Sequence, residues 1–372
     1  MNSPGFAKRI GFRANRLFLL ALFIIAACAS PPLTPLDFSY PKNPMQLPQD
    51  LAAHEWAQTE WWYYTGHLRS DDGSKYGFEL TFFRRRVDMD RLKGVPLRAL
   101  GNTGYMAHFA VVDEAKGQYL HAGISDISNN KGRAHASTDR YDVAILKWKA
   151  GGDDKVHHIQ AKSEDAAINL QLEPIKPAVL HGDHGIVPKG RGMANYYMSY
   201  TRMKSAGTLT IDGKPINVTG ISWFDHEYGY MGSEPVDGWD WYSIQLDDNT
   251  EYMIYGIRRP DKSVDPASKA CRIDTAGAEE CIPIAETKIE VLGRWRSPDT
   301  DALYPAGWHI VIPKWNLDVV IVPTFSDQEF RFIGIAYWEG SCAVLGKPAN
   351  GRAYVELVGY EVGKIMGMMK NQ

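Results

Sequence analysis

Asp225, His226 and Glu227 stand in succession within Ile221-Ser-Trp-Phe-Asp-His-Glu-Tyr-Gly229, and the aromatic segment Trp239-Asp-Trp-Tyr242 follows closely. If Trp223 to Glu227 is extended, alternation puts Trp223, Asp225 and Glu227 on one face and Phe224 and His226 on the other. Two carboxylates then point the same way beside an indole. In an apolar, aromatic-lined setting, desolvation disfavours the ion and a like charge adds to the effect, so such carboxyls resist ionisation. A neutral carboxylic acid held there can donate a proton. A structural reading is equally open, in which Asp225 and His226 hydrogen-bond to backbone or pair with arginine where two halves of the molecule meet.

Glu60-Trp61-Trp62-Tyr63 is a second group of this kind. A single Glu among aromatics reads first as half of an ion pair with Arg84, Arg85 or Arg86, and second as a catalyst. The aromatic strip is either the wall of a hydrophobic pocket or core. His181-Gly-Asp-His184 offers an incomplete metal-ligand set without the HExxH spacing, and reads as a surface loop. His157 and His158 follow Gly151-Gly-Asp-Asp154, a hairpin turn, and read as solvated. No G-x-S-x-G, P-loop or dinucleotide fingerprint occurs, so serine nucleophiles and nucleotide binding have no support. Neither a metal nor a cofactor is expected.

Strands must position these side chains. Tyr76-Gly-Phe-Glu-Leu-Thr-Phe82 alternates, with Tyr76, Phe78, Leu80 and Phe82 on one face and Gly77, Glu79 and Thr81 on the other. It follows Trp61–Leu68 through Ser70-Asp-Asp-Gly-Ser74 and predicts a hairpin. Further strands are expected at 105–112, 143–148, 168–172, 196–201, 207–211, 308–312, 317–322, 330–337 and 353–361. Long amphipathic helices are hard to find. A weak repeat divides the chain: Trp62-Tyr63, Leu68, Asp71-Asp72, Tyr76 and Arg84-Arg85 recur in order as Trp241-Tyr242, Leu246, Asp247-Asp248, Tyr252 and Arg258-Arg259. The expected fold is all-β, with an antiparallel β-barrel in each half that leaves few exposed edges. The boundary is placed at Gly213-Lys-Pro215, giving barrels over 51–213 and 214–372.

The N-terminus speaks to location. Lys8, Arg9, Arg13 and Arg16 precede an uncharged apolar run from Leu17 to Ala27 that stops at Cys28. That run falls short of the roughly 20 residues a membrane span needs, and reads as a signal peptide over 1–27. Ile25-Ala26-Ala27-Cys28 resembles the lipobox of bacterial lipoproteins, in which the cysteine receives lipid; Ala29 instead of Asp favours the outer membrane, facing the periplasm. Pro-rich residues 28–50 read as a tether. The chain has 41 Lys+Arg and 44 Asp+Glu; loss of the leader's four basic residues leaves 37 against 44, a net −7 that gives no electrostatic footprint for nucleic acid. An exported compartment permits a disulfide between Cys271 and Cys281, which flank a plausible turn, and leaves Cys342 as a buried small hydrophobe.

Glu60–Gly66, Leu80–Arg84, Ala107-His108-Phe109-Ala110, Trp223–Glu227, Gly238–Tyr242, Gln328-Glu329 and Tyr337-Trp-Glu-Gly340 together resemble the AttH and carotenoid 1,2-hydratase (hydroxyneurosporene synthase) family of lipocalin-like proteins, over residues 54 to 361. The resemblance implies two tandem lipocalin-like barrels with a ligand region near their junction. It also implies two kinds of relative: hydro-lyases that add water to a terpenoid double bond, and lipoproteins found alongside ABC transporters.

Hydration of an unactivated alkene starts with protonation to a carbocation, in a dry site with electron-rich faces around it. Asp225 is the candidate acid, with His226 or Glu227 polarising the water. Trp223, Trp239, Trp241 and Tyr242 are candidates to stabilise the cation, and Trp62 and Asp240 to complete the ligand region. The favoured expectation is a lipid-anchored protein that binds a hydrophobic molecule or lipid and docks to an ABC transporter permease; the alternative is the hydratase.

Overall fold

The computed structural model describes residues 43–87, 91–92, 95–96, 101–127, 133–190, 193–230 and 236–360. The leader and Cys28 lie outside these residues. Residues 43–50, expected as part of a loose tether, are docked instead: Met45 is buried and bonds through its backbone N–H to the carbonyl of His184, and the Tyr196 hydroxyl donates to the carbonyl of Asn43. Among the described residues no helix is long and apolar enough to cross a membrane.

Two large antiparallel sheets, each curled and nearly closed, form the two lipocalin-like barrels. The first runs Gln118–Ile127, Thr103–Asp113, Lys75–Arg86, Thr59–Ser70, Lys214–Gly229, Met193–Ile211, Ala166–Pro174, His157–Lys162, Trp148–Gly152, Tyr141–Ile145, Ala134–Ala136. The second runs Glu279–Pro283, Lys269–Ile273, Glu251–Arg258, Gly238–Leu246, Gly351–Val358, Ile335–Lys347, Leu317–Pro323, Trp308–Ile312, Lys288–Val291.

The division between barrels falls later than the sequence reading puts it. Lys214–Gly229 lies in the middle of the first sheet, between Thr59–Ser70 and Met193–Ile211. Asp212 and Gly213 both have positive φ and join the register partners Ile211 and Lys214. This is a two-residue primed hairpin turn, whose twist returns the chain to its own sheet. The Gly-Lys-Pro signal therefore marks a turn inside one domain, and the crossing to the second sheet lies between Gly229 and Gly238.

The repeat is real as two hairpins: Leu68 and Tyr76 face the interior of the first barrel as Leu246 and Tyr252 face that of the second, and only the Trp-Tyr pair is out of phase. Trp62 points into the first barrel, whereas its counterpart Trp241 points between the domains. A one-residue offset in a period-two structure exchanges the faces.

Both barrel interiors are filled by side chains. Trp62, Tyr64, Phe78, Phe82 and Phe224 are buried in the first, and Trp308, Trp338, Ile310 and Val319 in the second. Small barrels close on such packing rather than on a lumen.

Candidate acid–base site at the domain junction

Transverse registers across the first sheet bring polar side chains into one row on its outer face. Ser199 pairs with Asp225, Asp225 with Tyr63, Tyr63 with Thr81, and Thr81 with His108. Directly paired residues of antiparallel strands share a face, so five strands contribute one side chain each. On the second sheet Tyr255, Trp241, Glu356 and Glu339 form a corresponding row. The two rows face each other where the barrels pack.

The contact between barrels combines an apolar cluster around Trp223, Trp241 and Met253 with a set of polar links. Tyr63 donates to Glu339 Oε1 at 2.7 Å, and a 2.8 Å bond joins His108 Nδ1 to the Tyr337 hydroxyl. At one side Glu251, fully buried, accepts from Lys176 Nζ at 2.6 Å and also from Arg202 and Thr201. At another, Arg352 pairs with Glu114. Gly123 admits the Phe332 ring so closely that an added Cβ would meet it at 2.2 Å, which excludes any side chain there.

Between these anchors lie Glu79, Glu339 and Glu356. Glu79 and Glu339 are fully buried, and Glu356 is partly accessible beside Trp239, whose indole donates to it at 3.0 Å. Glu356 and Glu339 are register partners on adjacent strands, a costly arrangement for two charges. Burial, together with the charge of Glu356, raises Glu79 to about 8 despite the hydrogen bond it accepts from Thr81. Glu339 is pushed well above the usual carboxyl range by burial and then by Glu356 and Glu79. Burial raises Glu356 to about 7, with the charge of Asp225 contributing. Glu79 Oε2, Glu339 Oε2, His108 Nε2 and the Tyr119 and Tyr354 hydroxyls are buried without a hydrogen-bond partner. Buried polar atoms are rarely left so. Their convergence between two domains makes this the candidate site.

Asp225 lies at the edge of the same junction and differs in kind. Oδ1 accepts from Ser199 and, at 2.6 Å, from the Trp223 indole, and Oδ2 accepts from Tyr197 at 2.7 Å. Burial raises it to about 6, opposed by these donors and by His181. A carboxylate with three donors is stabilised as the ion. Glu227 shares its face, as alternation requires, and accepts from Asn195 at 2.8 Å.

His226 does not join them. It points into the first barrel, where Nε2 bonds Glu60 at 3.0 Å and the ring stacks on Trp62. Glu60 also accepts from His54 at 2.9 Å and lies 3.6 Å from Arg84. Burial works against its ionisation, but the bonds from His226 and His54 prevail and hold it at about 2. This is a structural ion group, as the pairing reading of Glu60 with Arg84 anticipates. The trio Asp225, His226 and Glu227, expected to act together, is thus divided, because adjacent strand residues face opposite ways.

The aromatic set is divided too. Trp223, Trp239 and Trp241 are at the junction, with Trp223 and Trp241 edge to face at 6.0 Å. Trp62 is core of the first barrel. Asp240 and Tyr242 face the interior of the second, where Asp240 pairs with Arg258 and Tyr360 and Tyr242 packs on Trp308. His181 and His157 also depart from expectation. Both are buried, His181 between the domains and His157 in the first barrel beside Tyr64. Cys271 and Cys281 form a disulfide, and Cys342 is free and buried.

Sequence reasoning gave no role to Glu79, Glu339 or Glu356. A signal existed for two of them. Glu79 lies opposite the apolar face of an alternating strand, and Glu339 lies in Tyr337-Trp-Glu-Gly340, one of the stretches that carry the family resemblance.

The model of the AttH-like family matches residues 39–360. The chain belongs to the AttH-like family. Its fold is similar to that of an AttH protein of Nitrosomonas europaea, with 29% identity, a TM-score of 0.78, and coverage of 88% of this chain and 100% of that one. Kievitone hydratase of Nectria haematococca shares the fold at 14% identity and a TM-score of 0.65, over 88% of this chain and 96% of the hydratase. No curated protein sequence matches.

Proposed function

We propose that this AttH-like chain is an acid–base catalyst of the hydro-lyase class, working at the domain junction on a carbon–carbon double bond of a hydrophobic, terpenoid-like molecule. The observation that carries this is the group of buried carboxyls of unequal proton affinity, with Glu79 raised to about 8 and Asp225 only to about 6. Near neutral pH the first is an acid and the second a base, and divergent titration of this kind assigns the two roles. The acid role therefore moves from Asp225 to Glu79 or Glu339, whose unpartnered Oε2 atoms can donate. Asp225 takes the proton of the attacking water. Trp223, Trp239 and Trp241 supply electron-rich faces for positive charge. The same two-barrel fold carries a hydratase in Nectria haematococca, although a fold alone transfers no function.

A test is incubation with prenylated alkenes in oxygen-18 water. Label should enter the product, and Glu79→Gln and Glu339→Gln should each lower the rate about 100-fold or more, the usual contribution of a general acid. Unchanged rates in both variants would remove the proposal.

The second reading is a carrier held at the outer membrane by lipid on Cys28, bringing a hydrophobic ligand to an ABC transporter permease. The leader and Cys28 favour it; the filled barrel interiors do not. Cys28→Ser should move the protein from membranes to the soluble periplasm. A lipid retained in native mass spectrometry would support the carrier, and an empty protein would count against it.

A further inference from the structure

A narrow cleft opens between the domains on the side of Asp225 away from Glu79. His181, Tyr197, Tyr255, Lys269 and Glu279 line it, together with the Cys271–Cys281 disulfide. From this cleft an unbroken chain of side chains runs inward. Glu279 Oε1 is 2.6 Å from His181 Nδ1, and His181 Nε2 is 2.6 Å from Ser199 Oγ. Ser199 Oγ in turn bonds Asp225 Oδ1. Exposure falls along the chain: the Glu279 side chain is 13% accessible and His181 3%, while Ser199 is fully enclosed. Histidine, serine and two carboxylates can each both accept and release a proton, and every link is a short hydrogen bond.

We infer that Glu279, His181 and Ser199 form a proton relay that exchanges the proton of Asp225 with solvent. The step is balanced by concerted transfer. A proton on Asp225 Oδ1 passes to Ser199 Oγ as the hydroxyl proton of Ser199 passes to His181 Nε2, and the proton on His181 Nδ1 passes to Glu279 Oε1. Three bonds to hydrogen break and three form. The net change is neutral Asp225 with ionised Glu279 becoming ionised Asp225 with neutral Glu279, and the histidine changes tautomer without changing charge. Glu279 then loses the proton to water in the cleft.

A hydrolytic triad of Ser199, His181 and Glu279 would use the same atoms. The enclosure of Ser199 and its bond to Asp225 leave no approach for a substrate carbonyl. Other groups facing the path take different parts. Tyr197 and Trp223 donate to Asp225, the Tyr197 ring also packs on His181 at 4.4 Å, Lys269 lines the cleft, and Glu227 bonds Asn195.

The relay rests on Asp225 serving as the base of the proposed site, yet its test needs no substrate, so failure of hydration and failure of the relay are separately visible. A light-triggered acid would be used to drop the pH of the full-length protein while infrared absorption follows the carboxyl C=O stretch, assigned to Asp225 by its loss in Asp225→Asn. Ser199→Ala and Glu279→Gln should slow protonation of Asp225 tenfold or more, and Ser199→Thr, which keeps the hydroxyl, should restore it. Circular dichroism establishes that each variant is folded. Wild-type rates in Ser199→Ala, or no rescue in a folded Ser199→Thr, would overturn the relay.

Discussion

The hydroxyl of Tyr63 donates to Glu339 across the domain junction at 2.7 Å, tying the central hairpin of the first barrel to a carboxyl that burial keeps from ionising. Tyr63→Phe removes the one hydrogen bond among the described residues that lowers the pKa of Glu339, and leaves a buried oxygen without a donor. The expected cost is about 1–3 kcal/mol, read from the urea midpoint, together with a further rise in the pKa of Glu339. A variant as stable as the parent would show that the bond contributes nothing in solution.

Stability should fall as pH rises through neutrality. Glu79 and Glu356 titrate near 8 and 7 in the folded protein, against an ordinary 4.5. Between about pH 4.5 and 7 the unfolded chain has released these protons and the folded chain keeps them. The loss approaches roughly 1.4 kcal/mol per pH unit for each group and ends above their folded values. Urea midpoints from about pH 5 to about pH 8 should therefore decline, and the decline should be shallower in Glu79→Gln. Parallel profiles would contradict the assignment.

Glu60 should behave in the opposite sense. Held at about 2, it stabilises the fold above its ordinary value of 4.5, and that contribution is lost as pH falls towards 2. Glu60→Gln uncouples a buried ion group and should cost about 3 kcal/mol or more. Because His226 and Glu60 face the barrel interior, the folded fraction should keep its oxygen-18 incorporation rate. A selective loss of turnover without loss of stability would return His226 to the catalytic site.

The disulfide pins the edge strand Glu279–Pro283, which among the described strands pairs with Lys269–Ile273 alone, at Cys271 and Cys281. Closing a loop of sequence separation 10 is worth about 2–3 kcal/mol by chain entropy. Denaturant unfolding with and without a reductant, and of Cys271→Ser combined with Cys281→Ser, should show that difference. Coincident curves would mean the strand is held by its hydrogen bonds alone.

Much of this molecule was legible in its residues. Alternation from Tyr76 to Phe82 named the face of a strand that lines the barrel interior, the two aromatic hairpins appeared where expected, and the spacing of Trp223, Asp225 and Glu227 placed them together. These are local consequences of a backbone whose side chains alternate every residue. The same rule already separated His226 from Asp225, and the structure shows how completely: one faces Glu60 inside a barrel and the other faces the second domain.

What the residues alone could not decide is which outward faces meet. Glu79 is indistinguishable in sequence from a solvent-facing carboxylate of a half-buried strand, and its proton affinity rises only because a second barrel buries it and brings Glu356 near. His181 likewise reads as a loop residue until Ser199 and Glu279 arrive from positions 18 and 98 residues away. Proton affinity depends on desolvation and on charges nearby in space, and both are set by packing between domains rather than by neighbours in the chain.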